Sequence, residues 1–279
     1  MRTIALPASF LSYSLLPAPL RRLQVRLWTG EHRLAAYGAL LLALMVPMAL
    51  ALALDERVLR GQNVWIKPLK FTLSVAMLAL TTAWFAGHVA PERRAGRTMD
   101  WIVWLLIGAG SLELLYITLQ AGLGEDSHYN ISDAFHRVMY LLMGVGATLL
   151  TATQPMLAWL LYRHPDPGQT ALQPLYRQAM LHGLVLTFVL GVAAGSLLSA
   201  RMPPVAAPLV PIFGWSLAGG DLRPAHFIGI HAEQILPLSA YAILAFKLPR
   251  PGRLFWLFTA AYVGMFVVLL TWGLAGGAI

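Results

Sequence analysis

The sequence predicts an all-α fold, a polytopic membrane bundle of about seven transmembrane helices with its N-terminus in the cytoplasm. Three observations carry that prediction. Apolar residues make up 58% of the chain, charged residues only 11%, and mean hydropathy is +0.66, a balance far from that of a soluble domain of 279 residues. Seven stretches reach the roughly 20 apolar residues that a hydrocarbon core requires. Lys and Arg are unevenly divided between alternate connections, as the positive-inside rule expects of a multi-pass protein.

Residues 1–33 are read as a cytoplasmic arm. The apolar run from Ile4 to Leu20 is interrupted by Pro7, Pro17 and Pro19, which argues against a cleaved signal peptide. Leu20, Leu23, Val25, Leu27 and Trp28 suit a segment lying on the bilayer with its arginines toward lipid phosphates. Residues 34–279 form one transmembrane domain. Its spans are placed at Leu34 to Leu54, Leu69 to Ala90, Trp101 to Ala121, Val138 to Leu161, Ala179 to Ala200, Ala225 to Phe246 and Leu254 to Ala275. Of 20 Lys and Arg, 13 fall in the arm and in the second, fourth and sixth connections, so the C-terminus is expected outside. The formal charge of +8 therefore records topology, and nucleic acid is not an expected partner. With no cysteine, disulfides and thiolate metal sites are excluded.

Within the spans, Gly191, Gly195 and Ser199, Gly108 with Gly110, and Gly144 with Gly146 read as close-packing positions. Pro47, Pro155 and Pro237 mark bends, and a bend at Pro237 would open space beside His231 and Gln234. The connection from Arg201 to Pro224 is rich in proline and glycine yet carries Leu209, Val210, Ile212, Phe213 and Trp215. It is too apolar for a solvated linker and is expected to fold back over the outer helix ends.

The unusual polar residues collect in three segments predicted on that same outer face: Gln62 to Phe71, Glu125 to Arg137 and Asp221 to Gln234. Lys67 and Lys70 beside Trp65 can snorkel to the interface or hold an anion. Asp133 precedes an apolar helical run and suits an N-cap. His128 and His136 offer metal ligation or proton transfer. Pro224 opens the sixth span. His231 and Gln234 share a helix face, while His226 lies about 140° from His231. Glu113, near the middle of the third span, costs a few kcal/mol on insertion scales unless it faces protein or water, with Tyr116 and Gln120 following on its side. Lys67, Lys70, Arg137 and Arg223 are four cations on the outer mouth, beside His128, His136, His226 and His231.

At these residues the chain resembles a family of bacterial polytopic membrane proteins, through WIKPLKF, SHYN and DLRPAHFIGIHAEQILP. The resemblance runs from Gln62 to Pro237 and implies a bacterial inner-membrane protein, but brings no activity with it. AFHRVMY is loosely similar to the His-Arg pair at a helix start in haem A synthases, whose paired motif pattern is not reproduced.

Three readings stay open on the sequence. One is a pocket binding haem b or a transition metal through two of His128, His136, His226 and His231, with Lys67, Lys70, Arg137, Arg223 and Gln234 around the cofactor, serving electron or proton transfer with a quinone. Another is a transporter or binding protein for a small anion, with Glu113 coupled to protons. The third is an intramembrane hydrolase in which histidines hold zinc and Asp133 or Asp221 activates water.

Overall fold

The computed structural model describes residues 18–169, 174–204, 210, 212–216 and 218–275. The first part of the N-terminal arm, including Ile4, Pro7 and Pro17, and Leu209 of the long connection lie outside the described residues. The elements are α1 (Ala18–Gly30), α2 (His32–Leu54), a hairpin of β1 (Val58–Leu59) and β2 (Gln62–Asn63), α3 (Ile66–Ala86), the single turn α4 (Pro91–Arg94), α5 (Arg97–Leu123) and α6 (Ala134–Arg163). After a 3-10 turn at Pro167–Gln169 come α7 (Pro174–Ser199), α8 (Arg223–Ile230), α9 (Ala232–Ala245) and α10 (Pro251–Ala275).

Six helices (α2, α3, α5, α6, α7 and α10) are long and apolar enough to cross a membrane, and α8 with α9, bent by 57°, reaches that length only as a pair, as a broken span or a re-entrant loop does. The protein is thus an all-α, multi-pass membrane bundle. Neighbours pack in sequence order: α2 on α3, α5 on α6, α6 on α7, then α7 against both halves of the bent span, which α10 covers. Leu34, Ala76, Met99, Leu106, Leu157 and Leu184 belong to one buried cluster, whereas Leu40, Leu115, Leu141 and Val268 face outward, as a lipid-contacting surface requires.

Small residues decide how close the helices come, because packing rather than water exclusion drives their association in lipid. On α7 the positions Gly183, Thr187, Gly191, Gly195 and Ser199 recur every four residues and so lie along one face. A side chain at Gly183 would meet the Ala232 carbonyl oxygen at 2.9 Å, at Gly191 the Ile230 side chain at 3.0 Å, and at Gly195 the His226 ring at 3.3 Å. Gly110 and Gly146 are likewise enclosed, but Gly108 and Gly144 face open space, so those two are not the packing positions their spacing suggested.

The arm also departs from its expected role. In α1, Leu27 and Trp28 pack against the main core, and Arg26 lies over the Trp84 ring at 5.5 Å. A side chain at Gly30 would come within 2.1 Å of the Ala83 carbonyl oxygen. This helix docks on α3, with Leu27 and Trp28, two of the apolar residues expected to touch lipid, turned to the core. Glu31 caps α2 and pairs with Arg33 at 2.8 Å, and Arg33 reaches Asp100 of α5 at 2.7 Å. At the same end, the α3–α4 turn and the α6–α7 turn exchange backbone hydrogen bonds, Ala90 N–H to His164 and Asp166 N–H to His88, both 2.9 Å.

Candidate functional site

The opposite end of the bundle gathers all three polar segments, beginning with the hairpin. Asp55 closes α2 and accepts from Arg57 and from the Trp65 indole at 2.8 Å. The Arg57 guanidinium, and then the indole N–H, hold its carboxyl below the usual carboxylate range. Asn63 donates to the Asp55 backbone oxygen. Arg60, in the left-handed turn of the hairpin (φ 51°), makes a bidentate ion pair with Asp126 at 2.8 to 2.9 Å. The first segment is thereby fastened to the second.

Lys67, the second residue of α3, then reaches His128 in the second segment: its Nζ lies 3.1 Å from Nδ1. The Ser127 hydroxyl is 3.2 Å from the same nitrogen. An ammonium can only donate, so Nδ1 facing Lys67 is the acceptor and the ring proton sits on Nε2. Phe71 and Tyr140 flank the ring at 5.7 and 6.2 Å between centroids. That burial, reinforced by the charge on Lys67 and by His226, holds the imidazole well below its usual range. Tyr129 and Tyr140 donate to the Leu198 and Ser199 carbonyls at 2.6 and 2.7 Å, which ties the loop to the end of α7.

His136 stands apart from this cluster. Its Nδ1 lies 2.8 Å from Asp133 and its Nε2 3.2 Å from Glu125. Asp133 accepts from the His136 backbone N–H at 2.9 Å and so caps α6. That bond, with the His136 ring, lowers its carboxyl from the ordinary value. Asp133 is accordingly a helix cap on the surface, and Arg137 is exposed without a hydrogen bond or ion pair among the described residues.

The third segment does two jobs. Asp221, fully buried, accepts from the Ser216 and Arg223 backbone N–H groups and from the Arg223 guanidinium at 2.6 Å. Arg223 also donates to the Gly214 carbonyl. From α3, Lys70 donates to the Ile212 and Phe213 carbonyls at 3.3 and 2.9 Å, and Gln62 donates to Ile212. The described part of the long connection is therefore clamped over this end of the helices, folded back as its composition predicted. Lys70, Arg223 and Asp221 serve that clamp. Phe213, Trp215 and Phe227 stack in series, and Phe227 lies 4.3 Å from the His231 ring.

His231 is the break itself, with φ −103° and ψ 9° between α8 and α9, while Pro237 lies inside α9. Beyond it the Glu233 N–H bonds the Thr187 hydroxyl of α7 at 2.9 Å, a contact that replaces a helical partner. His231 Nδ1 faces the Gln234 carbonyl oxygen at 3.3 Å, and Gln234 donates to Glu233 Oε1 at 2.8 Å and to Thr81 at 3.3 Å. Glu233 is completely buried with Oε2 unpartnered. Like Glu113, it is an acid among apolar residues, and that cost is the signal for it in the sequence beside His231 and Gln234.

Glu113 points into the bundle, as its cost demanded. It is buried, its Oε1 has no protein partner, and that oxygen lies against the bare backbone of Gly146 on α6. Tyr116 and Gln120 are buried beside it. Lys67 lies within its electrostatic reach, as His226 does for His128 and His231 for His226. Glu113, Lys67, His128, His226, His231, Gln234 and Glu233 thus succeed one another as a polar line, hydrogen-bonded at Lys67–His128 and at His231–Gln234–Glu233 and related elsewhere by electrostatic proximity alone, with a buried carboxyl at each end.

Among the described residues, no group of three or more His, Cys, Asp or Glu side chains is arranged to hold a metal ion. These four histidines occupy separate surroundings: a lysine for His128, two carboxylates for His136, and the bent α8–α9 pair for His226 and His231. That distribution lends the haem and metal readings no support. Comparison of the chain with known protein families, with characterised proteins and with solved structures finds no match.

Proposed function

We propose that the protein is a proton-coupled transporter of a small anion in a bacterial inner membrane, with the three polar segments on the periplasmic face. The observation that carries this reading is the polar line ending at a break inside a span. Spans interrupted in this way expose unpaired backbone and place polar side chains in the bilayer, an arrangement used by secondary transporters. Ionisable residues at that depth are costly and are retained where protons or ions pass. The anion is favoured by Lys67, whose ammonium forms no ion pair among the described residues and whose partner His128 is held neutral by burial.

Reconstitution tests the reading. Proteoliposomes with internal pyranine and a valinomycin-clamped potential should acidify faster than empty vesicles, and faster again when chloride, phosphate or succinate is supplied. Absence of any protein-dependent proton movement would overturn it. A Soret band in the purified protein would return the haem reading to first place.

A further inference from the structure

Within the polar line, Lys67 and His128 are in direct contact, and the geometry of that contact gives the exchange a direction. Nδ1 of His128 receives both Lys67, at 3.1 Å, and the Ser127 hydroxyl, at 3.2 Å. Its other nitrogen carries the ring proton and has no hydrogen-bond partner among the described residues. His226, next along the line, has a buried Nδ1 that is also without one. Phe71 and Tyr140 hold the His128 plane from two sides, and Tyr140 is itself fixed to Ser199. The charged and titratable groups acting on Lys67 are Asp126, Arg60, Glu113 and Lys70, and those acting on His128 are Lys67 and His226.

Resting on the transport reading above, we propose that Lys67 and His128 pass protons as a pair, the amine to Nδ1 and the ring from Nε2 onward to His226. In the step, one Nζ–H bond breaks and the Nδ1–H bond forms, leaving a neutral amine and an imidazolium. The imidazolium then loses its Nε2 proton to the His226 ring. Lys67 regains a proton from the outer face, and the starting tautomer returns when the Nδ1 proton is released to water and Nε2 takes one up from water. Ser127 steadies Nδ1 in the acceptor position while the ring is neutral. Lysine suits this role because its amine can release a proton, whereas arginine keeps its charge at every accessible pH.

Lys67→Arg in proteoliposomes reads the proposal directly, since it preserves charge and donor capacity while removing the exchangeable proton. Proton flux should fall by about a hundredfold, the scale of one positioned acid or base. Flux near the wild-type rate would overturn the pairing and leave the transport reading standing; a wild-type protein without flux overturns both. Where Lys67→Arg fails to assemble, nitrogen-15 spectra of the wild-type protein decide instead, with the His128 signals identified by their loss in His128→Asn. The Nε2-protonated tautomer is expected, and an Nδ1-protonated ring would refute the proposal.

Discussion

Asp221 and Glu233 are both fully buried carboxyls in the same segment of chain, twelve positions apart, and their surroundings differ completely. Each oxygen of Asp221 is taken by a backbone N–H or by the Arg223 guanidinium. One oxygen of Glu233 meets a neutral amide and the other meets nothing. A buried charge whose bonding capacity is filled holds structure in place, whereas one left partly unfilled in a dry interior is costly and persists for function. Glu113 falls on the same side of this division as Glu233.

The sharpest way to break the comparison is Asp221→Asn. It leaves a partly buried guanidinium without its counter-charge, and the loss should be about 3–5 kcal/mol, read as a lower unfolding midpoint in detergent. A change within experimental scatter would mean that the clamp is not structural. Next comes Gly195→Leu. A Cβ there already sits 3.3 Å from the His226 ring, so the larger side chain should displace that ring and cut proton flux, while Gly144→Leu, which meets open space, should leave flux unchanged. Equal effects at both glycines would remove His226 from the line.

The smallest effect is expected at Asp133→Ala, which removes the cap of α6 and the partner of His136. Faster amide exchange confined to the first turn of α6 is the expected result, with flux intact. The sign of its pH dependence follows from its lowered carboxyl. The cap contributes stability above the ordinary aspartate value, and that contribution fades as pH falls through the lower folded value. Protection of that turn that stays constant across this range, or a loss of flux in the variant, would contradict its assignment as a cap.

What the sequence disclosed, and what it concealed, divides by range. The spans were legible because hydropathy is a local property, and so was the cap at Asp133, whose partner lies three residues away. The inward aim of Glu113 followed from cost alone. The apolar character of Ile212, Phe213 and Trp215 told correctly that the long connection folds back. The position of the break was concealed: Pro237 is the visible signal, but the interruption at His231 is bound up with a hydroxyl on another helix, Thr187, meeting the Glu233 N–H. The employment of Lys70 was hidden for the same reason, since its partner is a backbone carbonyl of the connection 143 residues away. Four histidines on one face suggested that two of them share a ligand, and only the tertiary contacts separate His136 from the rest.

The central claim is that the line from the outer face ends in a proton-exchanging carboxyl at the break, and Glu233→Gln addresses it most directly. The substitution keeps the shape and the hydrogen-bonding capacity beside Gln234 while removing the exchangeable proton. Reconstituted Glu233→Gln should unfold close to the wild-type midpoint yet lose nearly all protein-dependent proton flux under a clamped potential. Wild-type flux in that variant, with its assembly intact, would contradict the account.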